Sequence, residues 1–212
     1  MKPRKDQTAS LPQSLDSTFL ANPLMATVKL ARFKFPAKLI SAKDDVLDLG
    51  CGRGQGAYFY SRVTSGNVVG IDLYTDFSQL DDYEAAKNLS FASEDLLNPS
   101  DHLREQRFDV VTCIDVIEHF SEENGKTIID TYSELLRPGG MMIFGTPSRH
   151  SEMWRSAASR SVHEHEYTPE ELRKIFDDRF ARTLYFSMND EIVHTGFDKM
   201  AWFFYVIAFK VN

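Results

Sequence analysis

The sequence predicts an α/β protein: a doubly wound, mostly parallel sheet of seven strands with an antiparallel last strand and helices on both faces. Strand-like and helix-like segments alternate from residue 44 to 146, which implies parallel pairing through right-handed crossovers. The first apolar run, VLDL at 46–49, passes directly into a glycine-rich turn. The last two strand-like segments, 180–187 and 201–210, have no helix between them, so they favour an antiparallel hairpin.

The remaining elements follow from local signals. Strands are expected at 45–49, 67–72, 89–92, 108–114 and 140–146, and helices at 55–64, 77–87, 99–105, 121–136 and 169–178. Pro138-Gly139-Gly140 should end the long helix and turn the chain into the fifth strand. Thr168 and Pro169 are typical of an N-cap and the first turn of a helix.

The segments outside this alternation have different characters. Residues 1–17 are rich in Pro, Ser, Gln and charge, which indicates a flexible tail. Residues 18–40 have apolar groups at helical spacing and predict a short helical cap before the first strand. Residues 147–168 form a histidine-containing loop, expected to serve as a substrate loop or lid. Residues 18–212 are then one domain, long enough to bury a sizeable core.

The glycine-rich turn predicts a nucleotide-type site. The first strand ends in Asp-Leu-Gly-Cys-Gly-Arg-Gly, with Gly50, Gly52 and Gly54 spaced by two. Such a strand must turn sharply while a ligand approaches its backbone, and glycine permits both at no steric cost. The first amides of the following helix point back at the loop and suit a carboxylate or phosphate. A dinucleotide fingerprint, G-x-G-x-x-G, fits this spacing only loosely.

Acidic residues close the next two strands. Asp72 follows VVGI, where a carboxylate can accept two hydrogen bonds from a ribose diol. Enzymes that use NAD have the same device, so Asp72 alone does not discriminate between cofactors. Glu94 and Asp95 lie just beyond the third strand.

Asp48, two residues before the glycine run, completes a pattern that resembles motif I of the class I S-adenosylmethionine-dependent methyltransferases. The segments FDVVTCIDVIEHF, LLRPGGMMIFGTP and WFFYVIAFK follow at the intervals of that family, so the resemblance covers roughly residues 40–210. It implies a methyltransferase with S-adenosyl-L-methionine as cofactor, and Asp95 as the partner of the adenine amino group. The cofactor contacts that it implies are Asp48, Gly50, Cys51, Gly52, Gly54, Asp72, Leu73, Glu94, Asp95 and Asp115.

Four residues are candidates for the chemistry. Methyl transfer from a sulfonium mainly requires an aligned acceptor and removal of its proton. Asp115, Glu118 and His119 follow the fourth strand at i, i+3 and i+4, so a helical turn there places them on one face, and His163 can join them from the loop. An imidazole beside a carboxylate is a general base near pH 7.

The same carboxylates and imidazoles can instead hold a divalent cation, with Glu118, His119 and His163 as its ligands. We favour the base without a metal. A purely structural role of Glu118, bracing the loop, is the further alternative.

The EH pair, the GTP after the fifth strand and H-x-x-E-Y-T-x-x-E-L resemble two branches of the family. One is the type 11/23-like group that methylates hydroxyls of small molecules and glycans, including ubiquinone-type O-methyltransferases. The other comprises metal-dependent methyltransferases of the RNA 3′-terminal ribose 2′-hydroxyl, whose E-x-x-E-H pattern the chain departs from at Asp115. Since a net charge of −7 disfavours a phosphate-binding face, a small-molecule or saccharide acceptor is expected and nucleic acid is not.

Other classes receive less support. A silent S-adenosylmethionine-binding regulatory subunit would not need a complete glycine loop with Asp72 and Asp95. No apolar run reaches the roughly 20 residues of a membrane span, and residues 1–17 lack the apolar segment of a signal peptide, so a cytoplasmic protein is expected. Cys51 and Cys113 show no disulfide or zinc spacing. The pattern makes no prediction of oligomeric state.

Overall fold

Across residues 21–80, 86–154, 161–197 and 199–211, which the computed structural model describes, the chain forms an eight-stranded sheet. Its strands are β1 (Val46–Leu49), β2 (Val68–Ile71), β3 (Leu89–Ala92), β4 (Phe108–Ile114), β5 (Leu136–Pro147), β6 (Arg182–Asn189), β7 (Ile192–Thr195) and β8 (Phe203–Phe209). Their order in the sheet is β3-β2-β1-β4-β5-β8-β6-β7. The first five pair in parallel, and β8 lies antiparallel between β5 and β6.

Helices lie before, between and after the parallel strands along the chain. They are α1 (Pro23–Ala37), α2 (Gln55–Ser61), α3 (Asp101–Arg104), α4 (Glu122–Glu134) and α5 (Pro169–Asp177), with 3-10 turns at Phe77–Gln79, Ile117–His119 and Arg149–Trp154. Within the described ranges, no helix combines the length and apolarity needed to cross a bilayer. Side-chain caps set several helix starts; at α5, Thr168 and Glu171 form the reciprocal hydrogen bonds of a capping box.

The two faces of the sheet bury separate apolar layers, because side chains alternate along each strand. In β8, Phe204, Val206 and Ala208 pack with α4 and α5, whereas Phe203, Tyr205 and Ile207 pack with α1 and α2. The predicted doubly wound α/β fold with helices on both faces is therefore confirmed.

The predicted count of seven strands is wrong. The extra strand, β7, lies in the stretch between the two final predicted strands and pairs with β6 through a tight hairpin. Asp190 takes a φ of 56° in that hairpin, a left-handed conformation that such turns require and that Asp tolerates. The residues of β7 are mostly exposed, so no buried apolar run marks the strand in the sequence.

Two other boundaries differ from the prediction. Pro138-Gly139-Gly140 lies inside β5 instead of ending the helix. The helix α4 ends at Glu134, where the Lys210 ammonium donates to the carbonyl oxygens of Ser133 and Glu134 at 3.0 and 3.2 Å. This cation satisfies carbonyls that lack helical partners and complements the helix dipole.

The described part of the predicted helix at 77–87 contains only the 3-10 turn Phe77–Gln79. Residues 81–85 of that prediction lie outside the described residues. The predicted tail at 1–17 also lies outside them, as do 18–20 of the predicted cap and 155–160 of the predicted substrate loop. The described part of the cap is the single helix α1.

Tyr167 fastens the end of the 147–168 loop to the body of the protein. Its backbone forms an isolated β-bridge with Ser148 and accepts a hydrogen bond from the Arg149 amide at 3.2 Å. Its side chain is fully buried, and among the described residues its hydroxyl has no hydrogen-bond partner. The hydroxyl lies against Gly125 of α4, where a Cβ atom would overlap it.

We predict that Gly125→Ala lowers the free energy of unfolding by about 1–3 kcal/mol, because overpacking outweighs the gain in helix propensity of about 1 kcal/mol. Tyr167→Phe should be near neutral, since it removes a buried hydroxyl without a described partner. Denaturant unfolding should show that the double variant loses less than the sum of the single changes. Strict additivity would contradict this packing account.

Candidate active site

The turn between β1 and α2 is built on left-handed glycines. Gly50, Gly52 and Gly54 have φ values of 57°, 51° and 78°, which side chains rarely adopt. A Cβ at Gly50 would lie 2.7 Å from Val116, so that glycine is also required by close packing. A Cβ at Gly52 would meet no atom within 4 Å. Gly52 is therefore the point of the turn at which a ligand can reach the backbone.

Asp48 supports this turn from below. Its side chain is buried, and one carboxylate oxygen accepts a hydrogen bond from the Thr112 hydroxyl at 2.6 Å. The Ala57 amide of α2 donates to the same carboxylate. Burial raises the pKa of Asp48 to about 7. In this structure Asp48 thus links β1, β4 and α2, a support role that the sequence pattern does not distinguish from direct cofactor contact.

Asp72 joins the glycine turn to the loop after β2. One of its oxygens accepts a hydrogen bond from the Gly52 amide at 3.1 Å, and the other accepts from the amides of Tyr74 and Thr75 at 2.9 and 3.0 Å. These bonds fix the carboxylate at the mouth of the turn. Leu73 beside it is exposed.

A cleft of about 230 Å³ opens next to this loop. Its lining residues are Arg53, Tyr74, Thr75, Asp76 and Leu80. The cleft is polar and lies between the loops that follow β1 and β2, next to the predicted cofactor contacts Gly52, Asp72 and Leu73.

The other predicted cofactor contacts also belong to loops at this edge. The Glu94 carboxylate accepts from the Ser100 amide and hydroxyl at 2.9 and 2.6 Å. The pKa of Asp95 is lowered by hydrogen bonds from the Asn98 side chain and from backbone amides. The Cys51 thiol is half-buried and donates weakly to the Gly52 carbonyl at 3.6 Å, while burial raises its pKa.

Asp115 begins the turn after β4 with a φ of 56° and binds Arg32 of α1. Both carboxylate oxygens lie 2.7 Å from one guanidinium nitrogen of Arg32. The guanidinium group also stacks on Phe203, with its central carbon 4.4 Å from the ring centroid. The ion pair therefore connects the N-terminal helix to the centre of the site. No local pattern identifies this contact, because 83 residues separate its partners.

Glu118 is almost fully buried in the same turn. Its carboxylate accepts a hydrogen bond from the Thr146 hydroxyl at the end of β5, at 3.2 Å. Burial and the negative charge of Asp115 raise its pKa to about 8, against a lowering effect of Arg32 and Thr146. Its backbone carbonyl accepts from the amides of Glu164 and His165 at 2.7 and 3.2 Å, so the loop after β5 is attached directly to this residue.

The two predicted histidines lie next to each other and close to Glu118. The rings of His119 and His163 lie edge to face, with centroids 5.2 Å apart. Nδ1 of His119 lies 2.8 Å from the Val162 carbonyl, and Nδ1 of His163 lies 2.7 Å from the Glu166 carboxylate.

One potential ligand atom from each of Glu118, His119 and His163 lies within 4.8 Å of those of the other two. The structure thus brings together three of the four residues predicted for the chemistry. Asp115 lies in the same turn but is paired with Arg32. We refer to Glu118, His119 and His163 as the Glu-His-His cluster.

The glycine turn and the Glu-His-His cluster both lie at the carboxyl edge of the parallel strands, which is where α/β folds of this kind bind nucleotide-type ligands. A family model described as a methyltransferase domain, Methyltransf_23, matches residues 23–179, which is well over half of the chain. The protein belongs to this family of methyltransferase domains.

Individual relatives agree with this assignment. The chain is 30% identical over 115 residues to the ubiquinone biosynthesis O-methyltransferase of Erwinia tasmaniensis, an alignment that covers 53% of this chain and 46% of that protein. The matched segment therefore spans about half the length of that relative.

Solved structures show the same fold. The methyltransferase domain of bacterial CtHen1-C superposes with a TM-score of 0.68 at 18% identity, covering 87% of this chain and all of that one. The N-methyltransferase NodS of Bradyrhizobium japonicum, in complex with S-adenosyl-L-homocysteine, superposes with a TM-score of 0.62 at 17% identity, covering 94% and 98%.

Two buried carboxyls of the site make stability depend on pH. The pKa values of Asp48 and Glu118 are about 7 and about 8 in the folded chain, against ordinary values of 3.8 and 4.5. Between the ordinary and the raised pKa values, the folded protein retains protons that the unfolded chain releases. We therefore predict that the free energy of unfolding falls as pH rises from about 4 to about 8 and then levels off.

Denaturant unfolding at a series of pH values measures this slope. We expect a smaller dependence of the unfolding free energy on pH in Glu118→Gln and in Asp48→Asn, because each removes one of the two carboxyls. The control Glu134→Gln, at an exposed site, should leave this dependence unchanged. A wild-type protein whose stability rises across this interval would contradict the account.

Proposed function

We propose that this chain, an S-adenosylmethionine-dependent methyltransferase, methylates a hydroxyl group of a small molecule or saccharide. The observation that carries the proposal is the Glu-His-His cluster, which stands at the same sheet edge as the glycine turn. Hydroxyl acceptors need proton removal for efficient attack, and the cluster supplies acceptor nitrogens for that proton. The name of the ubiquinone biosynthesis relative agrees with a hydroxyl acceptor.

The cofactor is expected to bind against the glycine turn. Gly52 leaves its backbone open to a ligand, and Asp72 is fixed beside it by backbone amides in a position suited to a ribose diol. The carboxylates of Glu94 and Asp95 follow at the end of β3, where an adenine base would lie in this arrangement. When bound, the cofactor supplies a sulfonium methyl group as the electrophile.

The residues of the chain then orient and deprotonate the acceptor. Glu118 binds the Thr146 hydroxyl, and its carbonyl binds the amides of Glu164 and His165. It therefore holds the turn of His119 against the loop of His163. One of the imidazoles takes the proton as the acceptor oxygen attacks. The N-terminal helix is tied to the turn after β4 through the ion pair of Arg32 with Asp115.

A cation-assisted version of the reaction uses the same cluster. One carboxylate oxygen and two imidazole nitrogens are a donor set found in catalytic zinc sites. The three ligand atoms lie within 4.8 Å of one another, so one ion could be held between them. We keep the base without a metal as the proposed mechanism, and its insensitivity to a chelator distinguishes it from the cation-assisted version.

We predict that Gly52→Val lowers the affinity for S-adenosylmethionine and S-adenosylhomocysteine at least tenfold, or about 1.4 kcal/mol, because the side chain enters the space assigned to the cofactor. Gly196→Val is the matched control, since Gly196 also has a positive φ of 79° and open space around it. Isothermal titration measures both variants. A folded Gly52→Val protein with unchanged affinity would show that the site is misplaced.

Transfer of labelled methyl groups to a panel of phenols, saccharides and amines tests the acceptor. We predict label in hydroxyl compounds, and a loss of about a hundredfold or more in turnover for at least one of His119→Ala and His163→Ala, with cofactor affinity retained. A chelator should leave turnover unchanged.

Two results would contradict this proposal. Label confined to amines would contradict the hydroxyl acceptor. Full activity in both histidine variants would contradict the histidine base. Chelator-sensitive turnover that Mg²⁺ or Mn²⁺ restores would replace the base with the cation-assisted version.

A further inference from the structure

His163 has a charged partner outside the cluster. Its Nδ1 lies 2.7 Å from a carboxylate oxygen of Glu166, and both side chains are about nine-tenths buried. A short contact between buried groups in this geometry is a strong, charge-assisted hydrogen bond. The carboxylate accepts, so the proton of the neutral ring resides on Nδ1 and the lone pair on Nε2.

His119 has a neutral partner in the equivalent place. Its Nδ1 lies 2.8 Å from the Val162 carbonyl, which can only accept a hydrogen bond, so this ring also bears its proton on Nδ1. Both imidazoles thus have the same tautomer. They differ in how well their partner stabilises the protonated ring. The Glu166 carboxylate beside His163 stabilises an imidazolium much more than the Val162 carbonyl beside His119 does.

The local fold holds Glu166 in position. Tyr167, the next residue, bridges to Ser148, and Thr168 opens α5 with its capping box. On the other side, the amides of Glu164 and His165 bind the Glu118 carbonyl. The carboxylate therefore stands on a segment fixed at both ends, three residues after the histidine that it contacts.

We infer that Glu166 is a positioning residue that fixes the tautomer and ring orientation of His163 and makes His163, instead of His119, the general base. This inference rests on the proposed function. In the step it serves, the acceptor O–H proton moves to Nε2 of His163 while the oxygen forms a bond to the methyl carbon. The carbon–sulfur bond breaks, its electron pair stays on sulfur as a neutral thioether, and the proton then leaves to solvent.

Substitutions at Glu166 separate charge from packing. Glu166→Gln keeps the volume and an acceptor oxygen but removes the charge, and Glu166→Leu removes the acceptor as well. The matched controls are Glu170→Gln and Glu170→Leu, at an exposed carboxylate in the first turn of α5. Two readouts apply: kcat and KM for methyl transfer, and two-bond ¹H–¹⁵N correlation spectra of ¹⁵N-histidine protein, with His163 assigned by its loss in His163→Asn.

The wild-type spectrum should show His163 protonated on Nδ1. In Glu166→Leu the proton should shift to Nε2, and kcat should fall about tenfold or more while KM for the cofactor stays within twofold. Glu166→Gln should also lower kcat through its lost charge, and the Glu170 variants should match the wild type. If Glu166→Leu fails to fold, the Gln variant and the wild-type spectrum still decide the matter.

An Nε2-protonated His163 in the wild type would overturn the inference, and so would a Glu166→Gln enzyme with full kcat. Failure of the proposed function gives a different pattern: no hydroxyl compound is methylated, while the spectra still report whether Glu166 sets the tautomer of His163.

Discussion

The site depends on the burial of Glu118 in the turn after β4. Its carboxylate accepts a hydrogen bond from the Thr146 hydroxyl at the end of β5. Its backbone carbonyl accepts from the amides of Glu164 and His165 in the loop after β5. A carboxyl enclosed in this way costs free energy when it is charged, which its raised pKa reflects. With a pKa of about 8 the carboxyl keeps its proton near neutral pH, and the same residue joins β4, β5 and the loop that carries His163.

The parallel sheet brings this turn to the same edge as the glycine turn. Since β1, β2 and β4 run in the same direction, the glycine turn, Asp72 and Asp115 end at one edge. Asp48 and Asp72 have complementary roles there: Asp48 braces the turn from the core, and Asp72 faces its mouth. Strands thus position the two halves of the candidate site, and the loop after β5 adds His163.

The sequence predicts the parts of this structure that depend on local pattern. Strands 89–92 and 108–114 were predicted with the bounds that the structure has, because apolar runs bounded by turn residues mark them. The i, i+3 and i+4 spacing predicts that Asp115, Glu118 and His119 share one face of a helical turn. The structure keeps the turn only at Ile117–His119, because Asp115 takes a left-handed φ of 56° and pairs with Arg32. The ion pair of Arg32 with Asp115 and the exposed strand β7 could not be predicted, since they depend on long-range packing and on a hairpin without an apolar signature.

We propose that the glycine turn and the Glu-His-His cluster form one site. A crystal structure of the protein with S-adenosylhomocysteine would decide this. We expect the ligand to lie against Gly52, with its ribose hydroxyls on Asp72 and its sulfur facing the space beside the rings of His119 and His163. A ligand bound elsewhere, or one whose sulfur is separated from both rings by protein, would contradict it.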